Sequence, residues 1–195
     1  VRHNDKKQRT EIYYFDSLPV FQQFFFSRSE LVKIMHNDLV FDRDNNRFNF
    51  RAVGILIHDN KVLLHKINDN PYWSLPGGRV AFGESSESSV IREMQEELGV
   101  DCRVLRPLWV MENFFHSFNR DTHELAFYFL LSVPDMLLAK GARFSQKEYD
   151  SILRFEWHSL DTIESVTLNP SFLRKALKQL PDNLTYIVHK DESSK

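Results

Sequence analysis

Residues 77–100, GGRVAFGESSESSVIREMQEELGV, constrain this chain more than any other stretch. At about 100° per residue, Val90, Ile91, Met94 and Leu98 fall within one arc, an apolar stripe that must be buried. Glu93, Glu96 and Glu97 share a neighbouring face, because helix positions three and four apart stack. Gly99 stands where a left-handed residue ends a helix, and Ser85 or Ser86 can cap its start. The acidic face works against stability. Three glutamates crowd the C-terminal half, where the macrodipole favours cations, and Glu93 and Glu97 are like charges at i, i+4. Arg92 reaches Glu96 at i, i+4, with the basic residue on the less favourable, N-terminal side. A hard divalent cation would account for the arrangement, since Mg²⁺ takes oxygen ligands, keeps several waters and shares its site with phosphates. A bare E-x-x-E-E alone is more often a solvated helix face.

The letters around the acids set this helix apart. Gly78, Glu84, Arg92, Glu93, Glu96, Glu97 and Gly99 stand at fixed spacings, with aliphatic Met94 and Val100 between and after them. The stretch resembles the Nudix box, G-x5-E-x7-R-E-U-x-E-E-x-G-U with U aliphatic, and matches every position. The preceding Trp73-Ser74-Leu75-Pro76-Gly77 looks like the W-x-L-P-G lead-in common in that family. The resemblance implies a Mg²⁺-dependent (or Mn²⁺-dependent) hydrolase acting on a nucleoside diphosphate linked to some group X. It assigns metal binding to Glu93, Glu96 and Glu97, with Glu96 and Glu97 as direct ligands and Glu93 as ligand or water-activating base. It makes Arg92 a positioning partner for a box glutamate, and Glu84 a loop glutamate that is hydrogen-bonded or linked to the metal. Members of the family also use a carboxylate from the loop before the last core strand, for which Glu148 and Asp150 are the candidates. Gly77 and Gly78 allow close backbone approach and offer carbonyl or N–H groups to metal or phosphate; Gly77 is the candidate for metal, Gly78 for substrate.

Along the rest of the chain, 48–57 and 62–67 read as strands joined by a turn at Asp59-Asn60, a hairpin. Residues 102–115 and 123–133 read as a second pair, with SFNRDT as connector. Residues 134–146 read as a loop and 152–158 as another strand. Asn169 caps a last helix with Pro170 at its first position and Leu173, Ala176, Leu177 and Leu180 on one side. This order predicts an α/β chain with a central mixed sheet and helices on both faces. That agrees with the α/β/α sandwich the Nudix resemblance implies. Residues 1–40 are expected as an N-terminal extension and 41–195 as the hydrolase domain. The extension contains an unusually aromatic run, EIYYFDSLPVFQQFFF, in which Ser17 and Pro19 suit a helix start. It would cover an edge of the domain, with a homodimer contact or a substrate lid as alternatives.

Charge and cysteine content exclude several classes. The net charge of −2 gives no basic field for nucleic acid or membranes, and no apolar run approaches 18 residues. The single Cys102 excludes an intrachain disulfide framework and a cysteine-rich zinc site. With no apolar h-region behind VRHNDKKQR, the expectation is a cytoplasmic protein.

Substrate choice is the least constrained property. Arg51, Arg79 and Gly78 are candidates to meet phosphates. Phe114, Phe115, Phe118 and Tyr128 are candidates to stack on a base, against the plainer reading of strand aromatics as core. Asn169 is loosely similar to the asparagine that reads a purine edge in the branch acting on oxidised dGTP. The proline that ADP-ribose pyrophosphatases carry about 15 residues beyond the box is replaced here by Phe115-His116. The tyrosine of dinucleoside-polyphosphate hydrolases is replaced by Ser117-Phe118. A small-molecule nucleotide, a nucleoside triphosphate or a relative of one, is the expected substrate. Alternatives are nucleotide sugars, dinucleoside polyphosphates, RNA 5′ ends, or a regulatory module that binds without hydrolysis.

Overall fold

In the computed structural model of the protein, residues 37–117, 119–148 and 150–190 are described. The expected N-terminal helices and Phe118 lie outside them. The described residues begin with β1 (Val40–Arg43) and a long β2 (Asn46–His58), then β3 (Lys61–Ile67) and the short β4 (Gly77–Arg79). The box helix α1 (Ser86–Leu98) follows, then β5 (Val104–Ser117), β6 (Arg120–Leu131), a one-turn α2 (Asp135–Leu138), β7 (Arg143–Glu148) and β8 (Ser151–Ser159). A 3₁₀ turn (Ile163–Ser165), α3 (Leu173–Ala176) and β9 (Thr185–Lys190) complete the order. The strands run in the order β7-β8-β3-β2-β6-β5-β9, with β1 and β4 both on β2. Parallel β2–β6 and β5–β9 pairs make the sheet mixed.

The expected hairpin forms, but it opens almost at once. Asp59 and Asn60 both take positive φ, 46° and 57°, as a tight two-residue turn with matching strand twist requires. Beyond it, β2 and β3 pair only at Ile57↔Val62 and His58↔Lys61. β4 then takes the β2 edge, with Arg51↔Arg79, Ala52↔Gly78 and Val53↔Gly77, while Ser74 bridges to His65 on β3. The lead-in to the box is thereby threaded between the two halves of the sheet. Gly77 must be glycine there: its φ is +136°, and a Cβ would stand 2.3 Å from the Ala52 carbonyl oxygen.

Helices pack on both faces. Val90, Met94 and Leu98 are fully buried with Ala52, Leu56, Leu63, Phe129 and Phe155, and Ile91 is partly buried against them, as the stripe required. On the other face Ile163, Leu168, Leu173 and Leu177 cover Val53, Ile55, Leu64, Trp109, Met111 and Tyr128. The box helix has the expected caps. Ser85 Oγ accepts from Ser88 N at 3.0 Å, and Gly99 is left-handed at φ 65°.

Five local features differ from the sequence reading. The segment read as a loop contains α2 and β7; β7 is an edge strand, RFSQKE, whose polar composition hides it, with only Phe144 stacking on Phe155 at 5.0 Å. Asn169 does not cap the last helix, which starts at Leu173 after Phe172 and has no side-chain cap. The connector 117–122 is mostly strand, turning at Asn119 with φ 58°. β9, at the opposite edge, has no counterpart in the sequence reading. Asp38 and Leu39, placed in the extension, already join the sheet through Ala81 and Val80. Among the described residues no helix is long and apolar enough to cross a membrane.

The helix stripe yields a stability test. Met94 is completely buried, and Met94→Ala is expected to cost about 2–5 kcal/mol of folding free energy. Denaturant unfolding reads this as a lower midpoint at unchanged slope.

Candidate functional site

The site is built where α1 lies over β4. Arg92 is its hub. Its Nε and Nη2 donate to the two oxygens of Glu84 at 2.9 and 3.0 Å, a two-pronged pairing. Its Nη1 donates to Glu93 Oε1 at 2.8 Å and to Glu96 Oε2 at 3.1 Å. Nη2 also reaches the Arg79 carbonyl at 2.9 Å and Ser89 Oγ at 3.2 Å. Glu84 in turn accepts from Ala81 N at 3.1 Å, so one guanidinium ties the loop, β4 and the helix acids together. Burial pushes the Glu84 carboxyl upwards, but the Arg92 hydrogen bonds and charge outweigh it and hold it below the usual range. Glu84 as the Arg92 anchor, and the reach of Arg92 into the loop, were not legible from helix spacing alone.

Glu93 and Glu97 are 8% and 4% exposed, deep for carboxylates. Burial raises the Glu93 pKa despite the neighbouring Arg92. Glu93 sits over Gly78 so closely that a Cβ there would lie 2.3 Å from its carboxyl carbon. Glu97 Oε2 accepts from Gly77 N at 3.1 Å, and its Oε1 lies 3.8 Å from His65 Nδ1. His65 was not singled out by sequence; its only signal is a lone histidine among the apolar letters of β3. Burial, aided by the Arg51 charge, lowers its pKa to about 3, so it faces Glu97 as a neutral ring. Glu96 is more exposed and is held, among the described residues, by Arg92.

The expected phosphate contacts have structural partners. Arg51 donates to the Gly77 carbonyl at 2.6 Å, and its Nε is enclosed with no hydrogen-bond partner among the described residues. Burial opposes its charge, but Glu124, Tyr128, Glu97 and Glu93 more than compensate and its pKa is raised. Arg79 is half-exposed; its Nε donates to Asn49 Oδ1 at 3.1 Å, and its Nη1 lies 3.6 Å from Asp38. Asn169 joins the lead-in by its backbone, its N–H donating to the Trp73 carbonyl at 2.9 Å. Glu148 and Asp150 flank the β7–β8 turn, with Glu148 opposite Ser151 and Asp150 exposed. Tyr128 is core, 2% exposed. Phe114 and Phe115 line an open cleft of about 620 Å³ with Phe48, His123, Arg47 and Thr122.

The donors suit a hard divalent cation. Glu93 lies over Gly78 and Glu97 accepts from Gly77 N, so two carboxylates close on the glycine strand, with Glu96 beside them on Arg92 and the Gly77 carbonyl as a further oxygen. Among the described residues, no three acidic, histidine or cysteine side chains are yet gathered around one point. An arginine-clamped acidic helix over a glycine strand, at the split in a mixed sheet, defines the class of α/β domain. The NUDIX domain profile matches residues 49–180, and the chain belongs to the Nudix family.

Individual relatives agree with that assignment. An ADP-ribose pyrophosphatase of Methanocaldococcus jannaschii is 37% identical over 101 residues, 49% of this chain and 57% of that protein. A putative 8-oxo-dGTP diphosphatase of Bacillus subtilis is 40% identical over 58 residues, 30% of this chain and 39% of the relative. The chain thus spans little more than half, or less, of the length of these relatives. Among solved structures, the mutator MutT protein from Bacillus halodurans superposes with a TM-score of 0.53 at 19% identity, covering 75% of this chain and 93% of that one. The likeness is one of fold.

Two substitutions test the site geometry. Arg92→Lys keeps a charge but loses the planar fork. It should lower kcat by at least about tenfold while metal affinity changes little; unchanged kcat with raised KM would instead place Arg92 on the substrate. Gly78→Ala displaces only the flexible end of Glu93. Its melting temperature should stay within a few degrees of wild type while turnover collapses.

Proposed function

We propose that this chain hydrolyses a pyrophosphate linkage in a nucleoside diphosphate joined to a further group, with a nucleoside triphosphate or a related nucleotide as substrate. The observation that carries the reading is the buried Glu93–Glu97 pair over the glycine strand, Glu93 held by Arg92 and Glu97 by the Gly77 N–H. A fold needing only stability would not bury two like charges a helical turn apart. The names of the relatives, a pyrophosphatase and a diphosphatase, belong to the same reaction type.

Glu93, Glu96 and Glu97, with the Gly77 carbonyl, would hold Mg²⁺ or Mn²⁺. When bound, the ion supplies charge neutralisation at the phosphate oxygens and a more acidic water. The chain's own groups do the rest. Glu93, whose pKa is raised by burial, is suited to take the proton of the attacking water. Arg92 fixes the Glu93 and Glu96 carboxylates in place. Gly78, lacking a side chain, lets the Glu93 carboxylate close on the β4 backbone, and Arg51 and Arg79 add positive charge at the β2–β4 edge. A regulatory module that only binds nucleotide would not need this full set of acids. The buried Cys102 fits a reducing cytosol.

A screen of nucleoside triphosphates, nucleotide sugars and dinucleoside polyphosphates with Mg²⁺ tests the reaction through its products. Glu97→Gln should lose orders of magnitude in activity while folding stability is largely kept, because removing one charge relieves repulsion. Parallel loss of melting temperature and activity would make Glu97 structural. Calorimetric Mg²⁺ titration of both proteins checks the ligand role directly.

A further inference from the structure

The face of the sheet opposite α1 carries a polar row that neither the box nor the core explains. Asn49, Glu124, Asn113 and His189 stand side by side in register on β2, β6, β5 and β9. Asn49, Glu124 and Asn113 are 8%, 6% and 5% exposed. Such burial is unfavourable unless the groups are satisfied, and here they are only partly so. Asn49 has a partner at each end: its Oδ1 accepts from Arg79 Nε at 3.1 Å, and its Nδ2 donates to Glu124 Oε2 at 2.8 Å. Among the described residues that bond is the one Glu124 receives, and Asn113 Oδ1 is buried with no partner.

The position of the row suits a substrate. One residue pair towards the centre of β2, roughly 7 Å away, stands Arg51, which bonds the Gly77 carbonyl. One pair in the other direction, Arg47, Thr122 and Phe115 share the same face and line the open cleft. Along β2 the row therefore lies between Arg47, at the cleft, and Arg51, which reaches the glycine strand.

We propose that Glu124 and Asn113 are specificity residues that read the base of the substrate, and that they select an edge presenting two adjacent N–H donors, as guanine does. Guanine offers a ring N1–H beside its exocyclic amino group, matching a carboxylate oxygen and an amide oxygen. Adenine offers a donor beside a bare ring nitrogen, which would meet an acceptor with an acceptor. Asn49 acts through Glu124 and is a positioning residue, its amide held by Arg79 so that it always donates to the carboxylate. The assignment rests on the nucleotide reading above, and binding measurements separate the two.

The test compares binding of GMP, inosine monophosphate and AMP to the full chain by calorimetry, without hydrolysis. Wild type should bind GMP at least about tenfold more tightly than AMP, with inosine monophosphate between them because it lacks the 2-amino group. Glu124→Gln keeps the shape and the Asn49 contact but replaces an acceptor by a donor. It should erase the GMP advantage and leave AMP binding within about twofold, since the lost acceptor serves only the guanine edge. Asn113→Leu removes the buried unpaired acceptor. It should raise the melting temperature while lowering GMP affinity, whereas a purely structural Asn113 would be destabilised by the change. Equal binding of GMP and AMP, no GMP binding, or a GMP preference that survives both substitutions would overturn the proposal. Mg²⁺-dependent hydrolysis of GTP, ATP, CTP and UTP at similar KM would overturn the base reading while leaving the reaction standing. A GMP preference with no triphosphate hydrolysed would do the reverse.

Discussion

The structure around the box depends on one guanidinium. Arg92 meets Glu84 from the loop, Glu93 and Glu96 from its own helix, and the Arg79 carbonyl of β4. Without it, carboxylates would crowd a helix end that already carries negative partial charge. A lysine cannot substitute, because a point charge reaches one carboxylate well and several poorly. The same fork keeps Glu84, Glu93 and Glu96 in a single mutual arrangement.

Around that hub the fold supplies position. Had β2 and β3 remained paired along their length, there would be no edge for β4 to occupy. Their separation after two residue pairs opens the slot that the lead-in fills, with Pro76 accepting from Gly54 N and Ser74 bridging to His65. Trp73 pins the start of this segment through Thr167, and its ring meets His158 at 4.6 Å. The lead-in letters thus have a structural purpose apart from chemistry. They hold the two glycines flat beneath the helix.

The helix and its acids were legible in the sequence because their information is local: a 3.6-residue period, a serine cap and a left-handed glycine. The first hairpin was legible through Asp59-Asn60 for the same reason. The edge strand β7 was not, since RFSQKE carries no apolar alternation, whereas β9, TYIVHK, does carry a run of strand formers. Asn169 looked like a cap because Asn-Pro precedes apolar letters, yet the chain delays its helix to Leu173, where burial of Leu173 and Leu177 decides the register. The site divided along the same line. Glu93, Glu96, Glu97 and Arg92 share one helix and could be grouped from spacing. His65, Asn49, Glu124 and Asn113 come together only through strand pairing between residues far apart in sequence, which no single window displays.

Arg51 and Glu97 have one more consequence through Gly77. Glu97 accepts from its N–H while Arg51 donates to its carbonyl, so the two peptide groups that meet at one residue are held by opposite charges from different elements. The position of that residue therefore records the spacing between α1 and β2. Small core substitutions that slide the helix by a few tenths of an ångström would be felt there before they are felt in global stability. In this protein, turnover becomes a finer gauge of interior fit than the temperature at which the chain unfolds.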